Sequence, residues 1–273
     1  MIDYYARIAD GILPHLRDRP LTLRRFPNGV EGPSFFEKRC PEHRPEWVKT
    51  ATVLADSVGE IGFCLCQNLA TLTWMAQLAA LELHPSLARA KDVDRPTVVA
   101  FDLDPGPPAN VIDCCRIALR LRGLFADLEL ESFPKTSGSK GLQVYVPLNS
   151  KVGYEETSPF AHAIALLLEK AHPDEIVSKM TKKLRKGKVF VDWSQNNRHK
   201  TTVAVYSLRA RERPIASTPL LWDEVEAGSR KRNPKGLAFE AKDVVKRLDK
   251  HGDLFEPVLK LRQKLPVLEA PEE

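Results

Sequence analysis

Cysteine is scarce in this sequence, and no two cysteines are separated by two residues. The five are Cys40, Cys64, Cys66, Cys114 and Cys115. Structural zinc sites usually take Cys-x2-Cys pairs, so a zinc ribbon or finger is not indicated. We expect reduced thiols in an intracellular protein. Cys114 and Cys115 lie in a helical pattern, where small buried apolar side chains are their expected role.

Long apolar runs are also missing. No stretch approaches the roughly 20 continuous apolar residues that a membrane-spanning helix needs. The first 16 residues carry acidic and basic side chains, unlike a secretory signal, so we expect a cytoplasmic protein without membrane association. Repeats and a GxxxxGK[ST] loop are absent from the sequence too. Apolar residues at 43% and charged residues at 28% are typical of a globular fold.

The net charge is +5 and the isoelectric point is about 8.9. This balance permits a polyanionic partner without requiring one. The distribution is more informative, because basic side chains crowd one segment: Lys179, Lys182, Lys183, Arg185, Lys186 and Lys188. A solvated surface is the usual explanation of such a run, but its position directly before Asp192 favours contact with a triphosphate or nucleic acid.

The order of predicted elements indicates a mixed α/β fold. Helical spacing covers residues 2–16, 70–83, 111–124, 158–171 and 241–264. Strand-like segments cover residues 21–26, 97–103, 132–133, 142–148, 189–193 and 202–208. Because no clean linker separates them, we expect one domain over residues 1–273, with two closely joined lobes and an acidic, proline-containing tail.

Three aspartates lie at the ends of predicted strands. Asp102 and Asp104 in FDLDPG are two residues apart, so their side chains share one face of the strand. Asp192 ends the valine-rich strand of KVFVDWSQN. Grouped carboxylates are costly to bury without a cation, and their oxygens suit Mg²⁺ or Mn²⁺. The pattern favours two metal ions, and the alternative is that these aspartates only cap turns.

A loop of small residues, Ser137-Gly138-Ser139-Lys140-Gly141, joins two predicted strands. Glycines let backbone amides approach phosphate oxygens, while the Ser137 hydroxyl donates and Lys140 supplies charge. A plain turn is the alternative. Arg209 follows a further predicted strand and is suited to bidentate phosphate contacts. His84, at the end of a predicted helix, can donate to a phosphate, although a cap or core role is commoner.

An aromatic pair, Phe35 and Phe36, lies among basic residues, namely Arg24, Arg25, Lys38 and Arg39. Aromatic rings stack on unpaired bases, which favours a nucleic-acid contact. Packing in the core is the alternative, and in an extended segment at most one of the two rings would point inward.

Several motifs follow one another in a distinctive order: LTLRRFPNGVEGPSFFEK, LATLTWMAQLAALELHP, FDLDPG, KTSGSKGL, VFVDWSQN and TTVAVYSLRAR. Together they resemble the polymerase domain of bacterial ATP-dependent DNA ligase D, in the archaeo-eukaryotic primase superfamily. The resemblance runs through nearly the whole chain. It implies the α/β primase-polymerase fold, with mixed β-sheets flanked by helices around a central acidic cleft.

The resemblance implies a template-directed nucleotidyltransferase that adds ribo- or deoxyribonucleotides to a 3′-hydroxyl, using two Mn²⁺ or Mg²⁺ ions. The implied catalytic metal ligands are Asp102, Asp104 and Asp192. The implied nucleotide-binding residues are His84, Ser137, Lys140, Arg185, Gln195 and Arg209. The implied DNA-binding residues are Arg24, at the 5′-phosphate beyond a gap, Phe35 and Phe36, on the template, and Lys38.

The partners implied in this way are nucleoside triphosphates and gapped or broken double-stranded DNA, at the nucleoid. No KxDG ligase motif occurs in the sequence, so we expect a stand-alone form that works with a separate ATP-dependent ligase (ligase C or D), with Ku as a candidate partner. Short gap filling in excision repair is the expected role, followed by non-homologous end joining.

Two departures from the family pattern limit these expectations. Gln143 stands where many relatives carry His, so its role is left open. The chain also begins at what resembles the family's first helix, without the basic segment that precedes it, and weaker recognition of the 5′-phosphate is therefore expected.

Two other functions compete with this one. FDLDPG resembles the haloacid-dehalogenase phosphatase motif, with Asp102 as nucleophile and Asp104 as general acid, although Pro105-Gly106 replaces the usual Gly-Thr type of continuation. A non-catalytic nucleic-acid-binding module is the second, and retention of all three aspartates argues against it.

Overall fold

The computed structural model describes residues 1–55, 59–230 and 234–266. The predicted acidic tail falls almost wholly on residues 267–273, outside the described residues. The described α-helices are α1 (Ile2–Arg7), α2 (Ala9–Leu16), α3 (Leu69–Gln77), α4 (Val111–Asp127), α5 (Tyr154–Ala171), α6 (Trp222–Ser229), α7 (Ala241–His251) and α8 (Pro257–Lys260).

The described strands, in chain order, are β1 (Leu21–Arg25), β2 (Phe35–Glu37), β3 (Thr50–Ala55), β4 (Gly59–Cys64), β5 (Ala80–Pro85), β6 (Ala88–Arg89), β7 (Asp92–Pro96), β8 (Val98–Pro105), β9 (Phe133–Thr136), β10 (Leu142–Pro147), β11 (Ile176–Val177) and β12 (Val189–Asp192). They form two five-stranded sheets and the small pair β6–β7. The first sheet has the order β2-β1-β4-β3, with β5 also paired to β1, and is antiparallel. The second has the order β11-β12-β8-β10-β9 and is mixed, because β11 and β12 run parallel. These mixed sheets with flanking helices confirm the predicted α/β fold class.

Each large sheet has its own apolar core. The first core joins β1 and β5 to α1, α2 and α3, and the second packs α4 and α5 against β8 and β10. Val99, Phe101 and Leu103 of β8 are completely buried, which explains the nearly continuous apolar run of that strand. Asn110 caps α4 by accepting from the amide of Ile112 at 2.9 Å, and so starts the helix directly after the aspartate-bearing strand.

The predicted helix over residues 70–83 is correct only in its first part. Helix α3 ends at Gln77, and β5 begins at Ala80 after Ala79 takes a positive φ of 58°. An apolar run that continues through the break satisfies both periodicities, so the sequence pattern does not reveal the change. His84 therefore lies in a strand, and its predicted place at a helix end is wrong.

Two other predicted elements also differ. The described residues 202–208 form no strand, because their backbone amides bond to several separate partners instead of one ladder: Thr202 bonds to Pro85, Ala204 to Leu83 and Tyr206 to Ser217. The predicted helical region 241–264 is divided, because α7 stops at Gly252, whose φ is +67°. Only the short helix α8 follows.

The cysteines depart from the expected reduced state at one pair. Cys40 and Cys64 form a disulfide that joins the segment after β2 to the end of β4. Their separation of 24 residues gave no sign of this pairing. Cys114 and Cys115 are fully buried in α4, as predicted. Among the described helices, none has the length and apolar character needed to cross a membrane.

The first and last parts of the described chain meet at the carboxylate of Asp253. His15 Nε2 lies 2.7 Å from Asp253 Oδ2, and the Tyr206 hydroxyl donates to Oδ1 at 2.7 Å. The Phe255 amide also donates to Oδ1, at 2.9 Å. Although burial raises the pKa of Asp253, these contacts, led by His15, lower it overall.

We expect Asp253→Ala to lower the free energy of unfolding at pH 7 by about 2–3 kcal/mol, since it removes hydrogen bonds to a charged group. A carboxylate with a depressed pKa in the folded state stabilises the protein above its unfolded pKa of about 3.9. The stabilisation is lost as the pH falls through the lower folded value. Urea unfolding of both proteins between pH 7 and pH 3 measures this.

The exposed Asp249→Ala on α7 is the control. It should leave the free energy of unfolding within about 0.5 kcal/mol of the parent. An Asp253→Ala deficit that stays constant down to pH 3 would contradict the role assigned to the ionised carboxylate.

Candidate active site

The three predicted aspartates meet on one face of the second sheet. Strands β8 and β12 are antiparallel neighbours, and Asp192 lies directly opposite Asp102. Asp104, two residues after Asp102, lies opposite Phe190 and shares the same face. Leu103 between them points to the core and is completely buried. Sheet register therefore brings the three carboxylates together.

Their charges act on one another. Burial raises the pKa of Asp102 to about 6, and the neighbouring charges of Asp192 and Asp104 contribute in the same direction. A hydrogen bond from Gln143 and the positive charge of Lys135 oppose the rise without cancelling it. The centre thus carries more negative charge than the adjacent protein groups balance.

The outer two carboxylates have protein partners. Asp192 Oδ1 accepts from the amide of Ser194 at 3.0 Å and from its hydroxyl at 2.6 Å, and Oδ2 accepts from Gln195 Nε2 at 2.8 Å. Turn capping, the alternative considered for Asp192, is thus present in addition to its place beside Asp102. Asp104, whose side chain is half exposed, lies 3.4 Å from Arg185 Nη1.

The donor set fits divalent metal ions. Three carboxylates on adjacent strands offer the hard oxygen ligands that Mg²⁺ and Mn²⁺ prefer, and burial together with the charges of Asp192 and Asp104 raises the pKa of Asp102. In the described part of the chain, however, no three acidic, histidine or cysteine side chains already form a metal-binding group. Asp192 is bonded to Ser194 and Gln195, and Asp104 lies beside Arg185.

A cleft of about 490 Å³ opens beside these aspartates. It collects most of the predicted site: Phe36, Lys38, His84, Asp102, Asp104, Ser137, Lys140, Gln195 and Arg209. The remaining predicted residues, Arg24, Phe35, Arg185 and Asp192, do not line it. Gln143, whose role the sequence left open, also lines the cleft, as do residues that were not predicted, among them Thr22, His199, Lys200 and Thr202. Both large sheets contribute to this lining.

The small-residue loop is fixed against the aspartate-bearing strand. A Cβ at Gly141 would lie 1.8 Å from the Leu103 carbonyl oxygen, so only glycine permits this approach. The Ser137 hydroxyl oxygen accepts from the amides of Ser139 at 3.2 Å and Gly141 at 3.3 Å. Its own proton can therefore be donated to a ligand in the cleft. Lys140 is exposed at the cleft edge.

A buried carboxylate that the sequence analysis missed, Glu82, organises the opposite wall. His84 Nε2 lies 3.0 Å from Glu82 Oε2, and Arg209 Nη1 lies 3.4 Å from the same oxygen. Burial raises the pKa of Glu82, but the His84 hydrogen bond, the Arg209 charge and the Ala210 amide lower it to about 2. Burial lowers the pKa of His84, and Arg209 adds to this effect. The spacing E-x-H on a strand is the signal, and the helical interpretation of this segment concealed it.

The aromatic pair is not part of the core. Phe35 and Phe36 are 45% and 60% exposed, so core packing is wrong for both rings. They lie on opposite faces of β2, which pairs with β1. The Arg25 guanidinium lies 5.3 Å from the Phe35 ring, and the Arg24 guanidinium lies 5.3 Å from the Phe36 ring. Phe36 also meets the His84 ring edge to face, at 5.7 Å between centroids.

The basic run reaches the acidic centre through Arg185. Its guanidinium lies 3.7 Å from the centroid of the Phe190 ring and donates to the Met180 carbonyl at 2.7 Å. The third contact of the Arg185 guanidinium is the ion pair with Asp104 described above. The rest of the run is largely exposed. The structure thus brings one cation of this run to the aspartates and leaves most of the others at the surface.

A second residue that the sequence analysis missed, Lys135, lies behind the cleft. It pairs across β9 and β10 with Gln143, which in turn lies opposite Asp102. Lys135 is 1% exposed, and its ammonium donates to the Val203 carbonyl at 3.0 Å and to the Ser217 hydroxyl at 2.8 Å. Burial lowers its pKa to about 7, although Asp102 opposes this. Nothing in the local sequence marks a lysine in strand β9 as buried.

Comparisons with known proteins match this architecture. Residues 1–255 fit the model of the family described as "LigD, primase-polymerase domain". The multifunctional non-homologous end joining protein LigD of Mycolicibacterium smegmatis is 41% identical over 260 residues, which cover 94% of this chain and 33% of that protein. The bifunctional protein LigD of Bacillus subtilis is 31% identical, with 93% of this chain and 40% of that protein covered.

The polymerase domain of Mycobacterium tuberculosis ligase D, solved in complex with DNA, has the same fold with a TM-score of 0.87 and 40% identity. The match covers 94% of this chain and 90% of that domain. The chain spans about a third of the length of the mycobacterial relatives. It belongs to the LigD primase-polymerase domain family, whose members are nucleotidyltransferases.

Proposed function

We propose that this domain is a template-directed polymerase that uses Asp102, Asp104 and Asp192 to hold two Mn²⁺ or Mg²⁺ ions. The observation that carries the proposal is the β8–β12 register, which places Asp192 opposite Asp102 beside a cleft with cationic walls. When bound, such ions lower the pKa of a 3′-hydroxyl and neutralise triphosphate charge. The phosphatase alternative has no support from the family match.

The incoming nucleoside triphosphate is proposed to lie in the cleft. The Ser137 hydroxyl, whose oxygen already accepts two loop amides, donates to a phosphate oxygen, and Lys140 adds positive charge at the cleft edge. Arg209 and His84 hold the opposite side of the triphosphate. Gln195, which lines the cleft and donates to Asp192, keeps that carboxylate oriented beside Asp102. Together these groups orient the α-phosphate for attack by the primer.

Arg185 is proposed to contact the triphosphate from the edge of the centre. Its guanidinium is held by the Met180 carbonyl and the Phe190 ring, which leave it beside Asp104. Arginine suits phosphate oxygens because its donors form a rigid planar fork. The exposed lysines of the same run supply a positive surface for the DNA backbone.

DNA is proposed to lie across the β1–β2 ribbon. The exposed Phe35 and Phe36 rings offer stacking surfaces for template bases, with Lys38 at the cleft. Arg24, about one third exposed, is the proposed contact of the 5′-phosphate beyond a gap. Ribonucleotides and deoxyribonucleotides are both accepted in this proposal.

The substrate is proposed to be gapped or broken double-stranded DNA, filled before sealing by an ATP-dependent ligase activity of the ligase C or D type. Relatives named as non-homologous end joining proteins favour end joining, with Ku as a partner, beside the excision-repair role expected from the sequence. A cytoplasmic, nucleoid-associated location and one domain with two closely joined lobes belong to the same proposal.

We expect Asp104→Ala to lower kcat/KM for primer extension on a gapped duplex by about 100-fold or more, because metal ligation supplies several kcal/mol of transition-state stabilisation. Asp104 is half exposed, so the substitution should not disturb folding. Extension with nucleoside triphosphates and Mn²⁺ is the measurement. Asp127→Ala, at the exposed end of α4, is the control and should match the parent. Parental activity in Asp104→Ala would refute the metal assignment, whereas a parent that binds the gapped duplex without extending the primer would favour a non-catalytic module.

Arg24→Ala should weaken binding to gaps with a 5′-phosphate about tenfold, since a charge-assisted hydrogen bond is lost. Binding to gaps without that phosphate should change much less. Fluorescence anisotropy at several salt concentrations measures the affinity for both gaps. The affinity of Arg24→Ala should depend less steeply on salt than that of the parent, and only for the phosphorylated gap. Arg25→Ala is the matched control, because Arg25 pairs with Glu37 instead of Glu82. An equal loss of affinity for both gaps would contradict the assignment of Arg24 to the 5′-phosphate.

Phe36→Ala should weaken binding to a primer with a single-stranded template overhang by about 1–3 kcal/mol, the value of one base stacked on an aromatic ring. A blunt duplex of the same sequence offers no unpaired base, so its affinity should stay near that of the parent. Titration of both duplexes at one salt concentration gives the comparison. A similar loss on blunt DNA would mean that Phe36 supports the ribbon instead of the template.

A further inference from the structure

The Glu82 carboxylate draws together basic side chains that the proposed function assigns to two different ligands. His84 and Arg209 approach Oε2, as described above, and Arg24 Nη1 lies 3.4 Å from Oε1. The amide of Ala210 donates to Oε1 at 3.0 Å. Glu82 itself is 1% exposed, so the carboxylate is enclosed by these partners.

Three separate segments meet at this carboxylate. Glu82 and His84 are two residues apart on β5 and share one face of the strand. Arg24 lies directly opposite Glu82 in the β1–β5 pairing. Arg209 and Ala210 follow the irregular segment 202–208, which is held to β5 by the bond from the Ala204 amide to the Leu83 carbonyl. The carboxylate therefore ties a loop to a sheet.

The position of Glu82 relative to the cleft separates it from the ligand contacts. His84 and Arg209 line the cleft, whereas Glu82 contributes none of its lining. A buried carboxylate without partners would be unstable, and here its partners keep it ionised. The ionised group in turn fixes where the Arg209 guanidinium and the His84 ring stand.

We propose that Glu82 is a positioning residue of the nucleotide pocket, which holds Arg209 and His84 against the cleft wall in the orientation that the triphosphate requires. The inference rests on the proposed function, because it takes Arg209 and His84 as triphosphate contacts. Glu82 acts through them and touches no substrate.

Two physical effects of removing the carboxylate have opposite signs. If Glu82 only offsets positive charge, its loss makes the wall more positive and strengthens triphosphate binding. If Glu82 positions Arg209 and His84, its loss lets them leave their productive places and weakens binding. Glu82→Asp separates the effects further, since it keeps the charge and shortens the side chain by one methylene.

The experiment is steady-state extension of a gapped duplex by the parent, Glu82→Gln and Glu82→Asp. We expect KM for the nucleoside triphosphate to rise about tenfold in both variants, with kcat changed less than about threefold. An unchanged or lower KM in Glu82→Gln, or a parental KM in Glu82→Asp, would overturn the proposal. If Glu82→Gln fails to fold by circular dichroism, Glu82→Asp carries the test.

Glu224→Gln is the matched control. Glu224 also pairs with an arginine, Arg247, and accepts from a backbone amide, that of Leu221, but it links α6 to α7 and does not line the cleft. It should leave KM at the parental value. A rise in KM equal to that of Glu82→Gln would show a general effect of losing a carboxylate–arginine pair.

A binding measurement keeps this inference separate from the polymerase proposal. Calorimetric titration with a nucleoside triphosphate whose α–β linkage cannot be cleaved should give a Kd about tenfold higher for Glu82→Gln. A parent that binds this analogue but never extends a primer would defeat the proposed function and leave Glu82 testable. Equal affinity of parent and variant would defeat the positioning role alone.

Discussion

The antiparallel pairing of β8 with β12 is the constraint on which the candidate site depends. It places Asp192 opposite Asp102, while Val191 and Leu103 point into the core. A slip of one residue would turn Asp192 into that apolar core and remove it from the acidic face. The buried valines of both strands make such a slip costly. Packing of the second core thus specifies the geometry of the carboxylates.

The cleft is lined by both large sheets, so it forms only where the second sheet meets the first. Asp102 and Gln143 come from the second sheet, whereas Thr22, Phe36 and His84 come from the first. The acidic floor and the cationic wall consequently have separate cores behind them. Each can be stabilised by its own apolar packing, and the polar groups meet only at the junction. This division explains why so many charged residues coexist at one place in the fold.

The sequence predicted the aspartate strands and the small-residue loop because their signals are local. Alternation places Asp102 and Asp104 on one face, and glycine marks the loop that approaches β8. Prediction from the sequence failed where a contact joins residues that are far apart in the chain. Glu82 was missed because an apolar run continues through the left-handed break at Ala79, and its partners come from elsewhere in the chain. The Cys40–Cys64 disulfide was missed for the same reason, since its cysteines are 24 residues apart and meet where the Cys40 amide bonds to the Gly62 carbonyl.

The two buried carboxylates of the site show how neighbours decide the state of one chemical group. Burial raises the pKa of both. For Glu82, His84 and Arg209 outweigh burial and lower the pKa to about 2, so the protein itself satisfies the charge. For Asp102, Asp192 and Asp104 add to burial and raise it to about 6. The charge of Glu82 is therefore satisfied within the fold, whereas the ionised form of Asp102 is disfavoured by its surroundings and would be stabilised by a cation. This difference agrees with the proposed roles, in which Glu82 orients its neighbours and Asp102 binds a metal ion.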